Sequence, residues 1–393
     1  MAVGQRVRER RADEELPATH RSRVDVLAIF LWSRAAIWLG AVFAFAAFEP
    51  NRHPQAARWD SPQIHDLGWP LDLWARWDSV FFVRIAAHGY DAGSAAFFPL
   101  YPAALAVLGR VFGGHYVLAG TVLSLACCLG SFLLLHRLAE ERLGVDGARR
   151  AVLYLAVFPT ALFLQAVYSE SLFLLCCLGA FALAERGRWP AAGAVAGLAL
   201  LTRPNALALI PALALLAWRS PVRPRALGSL AAAVALAAVY PLYLWQRLDD
   251  PWAFARAQEL WHRHLSPFGP LGGIWDALTR WTPPGADPRH AVAVNAQALA
   301  FLVLFAALSA VAWRQFGAPY GLFSVLSLAL PLSEPSSRWP LLSLPRFGLV
   351  LFPCFLALAA IGGRPRLHSA ILVVSSIMLG VAVAQWALWQ WVA

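Results

Sequence analysis

No lysine occurs in this chain of 393 residues, so its 32 basic side chains are all arginine. Charge of either sign is scarce: Asp, Glu and Arg together make up 14%, against about 25% in an ordinary soluble domain. That scarcity excludes a free-standing soluble domain. Cysteine is scarce too. Cys127, Cys128, Cys176, Cys177 and Cys354 all fall inside apolar runs, with no partner in a loop and no metal-ligand spacing. They read as small packing residues, and a disulfide framework is excluded. The sequence also lacks a Walker A loop, a dinucleotide fingerprint, an HExxH helix and any Asp-x-Asp pair of the kind that holds a metal with a nucleotide sugar. No cofactor and no metal site are expected.

What the chain has in abundance is apolar sequence. Hydrophobic residues make up 60% and the mean hydropathy is +0.58. A helix needs about 20 apolar residues to cross a bilayer, and many stretches qualify. The fold class is therefore an all-α polytopic membrane protein. Spans are expected near 25–48, 116–136, 150–167, 170–186, 190–202, 204–219, 225–247, 291–313, 318–333, 345–361 and 367–390, about 11 in all. The domain reading is a cytoplasmic tail over 1–24 and a single transmembrane domain over 25–393. The first apolar run is long and has no small-residue cleavage site, so it reads as a retained span. Exclusive use of arginine together with abundant alanine suggests a GC-rich bacterial genome.

The net charge of +10 does not point to nucleic acid, because most arginines lie in short turns between spans. Segment 97–112 decides the topology. If it lies in the interface, every short basic turn becomes cytoplasmic: 137–150, 186–188, 219–225, 314 and 364–366. That agrees with the rule that arginine-rich loops stay inside, and Pro99 and Pro102 suit an interfacial piece. The N-terminus is then inside and the C-terminus outside, in a cell inner (plasma) membrane. The outer face carries the loops 49–115 and 248–290, each with interfacial helices, the turn Tyr168-Ser169-Glu170-Ser171, and the stretch 333–346.

Chemistry is expected on that outer face. Asp78, in Trp77-Asp78-Ser79-Val80, is placed to act as a general base on a lipid-borne substrate. It also fits a helix N-cap, since Asp favours that position. Trp77 suits the interfacial aromatic belt or stacking on a sugar. Glu170, at a span junction, is a functional candidate because ionisable groups at membrane depth are costly. Arg203, at the Thr202-Arg203-Pro204-Asn205 break, and Arg346, in Ser343-Leu344-Pro345-Arg346-Phe347, are candidates for a lipid phosphate; snorkelling to the headgroups is the alternative. Residues 251–264 read as an interfacial amphipathic helix bearing Trp261. His262 and His264, two apart, face different sides and do not form a shared zinc site. Arg34, inside the first span, is expected to snorkel. The tetrad Arg-Trp-Asp-Ser occurs at 58–61 and at 76–79, and only the second leads into an amphipathic run.

Together these motifs resemble the PIG-V family of mannosyltransferases, whose eukaryotic members add the second mannose in GPI-anchor assembly. The resemblance rests on Trp77-Asp78, Ile85-Ala86, Gly89-Tyr90, Phe98-Pro99-Leu100-Tyr101-Pro102, Tyr168-Ser169-Glu170-Ser171-Leu172-Phe173, Arg203-Pro204-Asn205, Gln258 to Trp261, and Pro345-Arg346-Phe347, in that order. It implies a GT-C-type fold and an inverting transfer of mannose from a polyprenyl-phosphate donor to a lipid or glycan acceptor. It also implies Asp78 as base, with Glu170 beside it, and Trp77, Arg203, Asn205, Gln258, Trp261, His262 and Arg346 as substrate contacts. Eukaryotic members usually carry His before the Trp-Asp pair, where this chain has Arg76. The competing reading is a secondary transporter or flippase, for which repeats and polar residues at the midplane are expected. Here no repeat is visible and the polar groups gather at one face.

Overall fold

A computed structural model describes residues 18–51, 59–283 and 285–392, with side chains from residue 24 onward. Most of the expected tail 1–24 and Arg58 of the first tetrad lie outside the described residues. Among the described residues the chain is helical, and its one β feature is an isolated antiparallel bridge between Arg263 and Ser336.

The helices run in order as α1 (Ala18–Ala47), α2 (Ser79–His88), α3 (Leu100–Val111), α4 (Tyr116–Ala156), α5 (Glu170–Glu185), α6 (Trp189–Leu200), α7 (Leu209–Trp218), α8 (Arg223–Ala237), α9 (Val239–Leu248), α10 (Pro270–Thr279), α11 (Pro288–Phe316), α12 (Ala318–Ser333), α13 (Leu344–Gly348), α14 (Phe352–Ile361) and α15 (Pro365–Ala387), with single turns between them. Five stretches are long and apolar enough to cross a membrane: Val24–Ala47, Tyr116–Ala156, Arg223–Leu248, Pro288–Phe316 and Pro365–Ala387. The other expected spans are shorter or broken.

The expected span 150–167 is helical only to Ala156. Pro159 lacks a backbone donor and disfavours helix in the residue before it. The chain passes through turns and a 3-10 segment (Ala161–Leu164) before α5 begins at Glu170. Residues 158–171 are all buried. Irregular backbone at membrane depth survives only where protein satisfies it, and here protein does. Arg34 donates from Nη1 to the Ala161 carbonyl and from Nη2 to that of Ala156, both at 2.8 Å. Thr160 Oγ1 donates to the Pro345 carbonyl at 3.2 Å, and Val167 N–H to that of Trp74 at 2.9 Å. Arg34 is 5% exposed, so it does not snorkel: a cation on the loose carbonyls of a helix end is better placed than one in the headgroups.

Two further expectations change. The span 345–361 is split into α13 and α14 by Leu349, Val350 and Leu351, ahead of Pro353. The amphipathic helix over 251–264 is only a four-residue turn (Ala253–Arg256) and a 3-10 turn (Ala257–Trp261). It is stopped by His262, whose φ is 56°. The interfacial helix of that loop is α10, whose Leu271, Trp275 and Leu278 are all more than half exposed. The break at Thr202-Arg203-Pro204-Asn205 stands as expected: α6 ends at Leu200 and a 3-10 turn starts at Pro204. Segment 97–112 is α3, whose 12 residues reach about 18 Å at 1.5 Å per residue, short of a bilayer's ~30 Å.

The bundle centre is α4, α5 and α14. Every residue of α14 from Phe352 to Ala359 is buried, as befits a helix that is apolar all round. All five cysteines are buried and free. The basic turns gather at one end. Arg186 Nη2 donates to Glu141 Oε1 at 2.8 Å, Arg142 Nη2 to Tyr320 Oη at 2.6 Å, Arg150 Nε to the Ala359 carbonyl at 3.1 Å, and Tyr154 Oη meets His368 Nδ1 at 2.8 Å. At the opposite ends, Glu170 of α5 and Thr202 and Arg203, just past the end of α6, reach the candidate site. The basic turns 137–150, 186–188 and 364–366 therefore share one end of the bundle, away from the candidate site.

Candidate active site

Asp78 immediately precedes α2, and the backbone there is built to present it. Trp77 sits at φ 54°, a left-handed conformation that costs a bulky residue energy and persists only where its surroundings enforce it. Those surroundings are aromatic: Trp59, Trp389 and Trp391 meet the Trp77 ring edge-on, with centroids 5.9, 5.9 and 5.3 Å away. Trp59 belongs to the first Arg-Trp-Asp-Ser copy, so the fold joins two tetrads that look unrelated in sequence. The Tyr168 hydroxyl accepts from Asp78 N–H at 3.1 Å and donates to the Arg76 carbonyl at 3.2 Å, which pins the loop to the broken segment before α5.

The Asp78 side chain is not a cap, since it makes no hydrogen bond to the first turn of α2. Its Oδ2 accepts from Arg346 Nη1 at 2.7 Å. Its Oδ1 is buried with no hydrogen-bond partner among the described residues. Arg346 Nε also lies 3.3 Å from Glu170 Oε1, and Arg203 Nη1 lies 2.6 Å from the same oxygen. Neither contact to Glu170 has hydrogen-bonding angles, so both are charge contacts. The four residues form a chain of alternating sign, Asp78–Arg346–Glu170–Arg203, buried except for the partly exposed Arg203 at its end, with Glu170 at 1% exposure. The Arg346 guanidinium also lies 5.3 to 5.6 Å from the ring centroids of Tyr168, Phe163 and Phe347. Headgroup snorkelling is therefore not what Arg346 does.

These groups line a cavity of about 260 Å³. Asp78, Glu170, Arg203, Asn205, Gln258, Trp261 and Arg346 all reach it, as expected from the sequence. Trp77 and His262 do not; with Trp261 they line a second, adjoining cavity. Arg76 lines neither. It is 2% exposed and stacks on Trp389 with 4.1 Å to the ring centroid, so the departure from the usual histidine is buried behind the loop. Burial lowers the Arg76 guanidinium to about 10, against the opposing pull of Asp60 and Asp72, and it stays cationic at neutral pH.

Sequence reasoning missed Arg263, Glu334 and Trp391, which complete the wall. Arg263 donates to the carbonyls of Glu334 at 3.0 Å and Leu342 at 2.8 Å. Burial lowers it to about 10, with Glu334 acting against the shift, which again leaves it charged at pH 7. Only its place in the 251–264 stretch, two residues past Trp261, hinted at it. Glu334 and Trp391 are far from any motif. The lining holds three arginines (Arg203, Arg263, Arg346) and three acids (Asp78, Glu170, Glu334). Such a site can seat an anion on guanidinium groups while keeping a carboxylate oxygen free to take a proton. Among the described residues, no cluster of three or more His, Cys, Asp or Glu side chains could hold a metal ion.

Residues 64–217 match the family model described as Mannosyltransferase (PIG-V). GPI mannosyltransferase 2 of Yarrowia lipolytica is 37% identical over 134 residues, covering 33% of this chain and 37% of that protein. Human GPI alpha-1,6-mannosyltransferase 2 is 33% identical over 162 residues, covering 37% of this chain and 32% of that protein. The matches thus span about a third of these relatives' lengths. Among solved structures, ArnT from Cupriavidus metallidurans bound to undecaprenyl phosphate superposes with a TM-score of 0.50 at 15% identity, covering 93% of this chain and 64% of that one. The resemblance to the PIG-V family and the GT-C-type fold are both borne out. The matched region holds Asp78, Glu170, Arg203 and Asn205; Gln258, Trp261, Arg263 and Arg346 come from beyond it.

Proposed function

From a chain that carries a PIG-V mannosyltransferase region on a GT-C-type membrane fold, we propose an inverting mannosyltransferase. It moves mannose from polyprenyl-phosphate mannose to a lipid or glycan acceptor on the outer face of the membrane. The carrying observation is the state of Asp78: one carboxylate oxygen is held by Arg346 and the other is buried and unpartnered.

In this reading the acceptor hydroxyl approaches Asp78 Oδ1, a buried acceptor that lacks a donor. Its oxygen attacks the anomeric carbon while the bond to the lipid phosphate breaks. The hydroxyl proton passes to Asp78, and the electron pair of the broken bond leaves with the phosphate. One in-line displacement inverts the anomeric centre, so a β-linked donor gives an α-linked product. Arg346, Arg203 and Arg263 receive the phosphate, since guanidinium groups bind it bidentately. Glu170, wedged between two of them, spaces them and offsets their repulsion. The undecaprenyl phosphate bound by ArnT supports a polyprenyl phosphate as the group this fold accommodates.

The test is direct. Purified protein is incubated with polyprenyl-phosphate mannose and a native lipid extract, and a new glycolipid is sought by mass spectrometry. A product heavier by one hexose, formed only with active protein and donor, is expected. Its absence across extracts, with the donor recovered intact, rejects the proposal.

A further inference from the structure

The second cavity, of about 380 Å³, meets the first at Trp261, Ser343 and Trp391. Trp77 faces it while the next residue, Asp78, faces the first cavity. The two differ in chemistry. The first is lined by three arginines and three acids. Among the described residues the second has no Asp or Glu in its wall, and its one arginine, Arg338, and two histidines, His262 and His290, are exposed. In their place stand five tryptophans, among them Trp77 and Trp339, and four primary amides, among them Asn295, Gln297 and Gln385.

That composition selects among ligands. A polyprenyl tail would cover the Gln385 amide and the buried Trp77 indole N–H without offering either a hydrogen-bond partner. A phosphate would find no buried cation. An amino sugar would find no carboxylate. A neutral sugar satisfies every group: its C–H face lies on indole rings, and its vicinal hydroxyls exchange hydrogen bonds with amides that both donate and accept. The wall is also partly fixed in advance. Asn295 Nδ2 donates to the carbonyls of Trp281 at 2.8 Å and Arg280 at 3.3 Å. The Trp77 indole N–H is buried with no hydrogen-bond partner among the described residues.

We propose that the second cavity seats a neutral, unphosphorylated sugar of the acceptor, with its reacting hydroxyl delivered across the shared boundary to Asp78. This rests on the reading of Asp78 as the base. Donor phosphate and acceptor sugar then occupy opposite sides of the Trp77-Asp78 loop, and their recognition is separable.

The experiment has two arms on the same protein in lipid nanodiscs. In the first, saturation-transfer NMR is recorded with methyl α-D-mannopyranoside, methyl α-D-glucosaminide and mannose 6-phosphate as probes. The neutral glycoside should receive saturation and the two charged sugars should not. Gln385→Leu and Trp339→Ala should each weaken it at least tenfold, while added undecaprenyl phosphate should not displace it. No saturation of the neutral probe, binding unmoved by both variants, or displacement by undecaprenyl phosphate overturns the proposal. In the second arm, transfer kinetics are measured. The two variants should raise the acceptor KM and leave the donor KM unchanged. Wild-type transfer with an unaltered acceptor KM in both variants removes the cavity assignment and leaves the mannosyltransferase reading standing. Sugar binding without any wild-type transfer removes that reading, and with it the sugar's role as acceptor.

Discussion

Arg346 Nη1 donates to Asp78 Oδ2 at 2.7 Å across 268 positions of sequence, and the same guanidinium turns its Nε toward Glu170. One arginine thus ties the proposed base to the second acid, and a donor phosphate arriving on Arg346 competes directly with Asp78.

Asp78→Asn preserves shape but cannot take a proton. Asp78 caps nothing and the Asn amide oxygen can still accept from Arg346, so the variant should fold and elute as wild type, with a lower melting temperature because the buried Arg346 loses one of its two anionic partners. Transfer should fall by ~10²–10⁴, the range general-base catalysis supplies. Near wild-type turnover in a well-folded Asn variant ends the assignment and makes Glu170 the next residue to test.

Arg346→Lys and Arg203→Lys keep the charge and lose the planar fork. A charged hydrogen bond is worth about 1.5–3 kcal/mol, so the donor KM should rise roughly tenfold to a hundredfold with the acceptor KM little changed. Superimposable donor saturation curves for both variants and wild type remove the arginines from the phosphate site. Arg346→Ala is a different experiment: it strands the buried Asp78 carboxylate and leaves Glu170 with Arg203 alone, and breaking a buried pair costs about 3–5 kcal/mol. Its effect should register first as lost stability.

Arg34→Leu tests the internal role of an arginine that sequence assigns to the headgroups. Two buried carbonyls lose their donors, at about 1–3 kcal/mol each, and the melting temperature should drop by several degrees. Transfer per folded molecule should fall less than in Asp78→Asn. An unchanged melting curve returns Arg34 to the lipid surface.

Orientation is tested by labelling intact cells with an impermeant maleimide. Ala92 and Asp146 are both exposed, and the native cysteines are buried. Ala92→Cys should label and Asp146→Cys should not. The reverse pattern turns the bundle over and places the site on the cytoplasmic side.

The sequence alone determined the solvent and the helical period of this protein. Sixty per cent hydrophobic residues leave a bilayer as the only medium, and the arginines of the turns 137–150, 186–188 and 364–366 mark one end of the bundle. Motif residues such as Asp78, Glu170, Arg203 and Arg346 could be picked out because charge at membrane depth is costly and needs a reason. What sequence could not supply is where those charges go. Hydropathy averages over a window, so Pro159 did not stop the reading of 150–167 as a span. The buried break that delivers Tyr168 and Glu170 is stable only because Arg34 meets its carbonyls, Thr160 Oγ1 donates to the Pro345 carbonyl and the Trp74 carbonyl accepts from its Val167 N–H. The N-cap reading of Asp78 was equally open on local grounds. It was closed by Arg346, a residue 268 positions away. Arg263, Glu334 and Trp391 carry no local signal, because their role lies in the packing of distant segments around one cavity. Local propensity and composition are properties of neighbours in sequence; the pairing of charges and the walls of a pocket are properties of neighbours in space, and only the tertiary structure decides them.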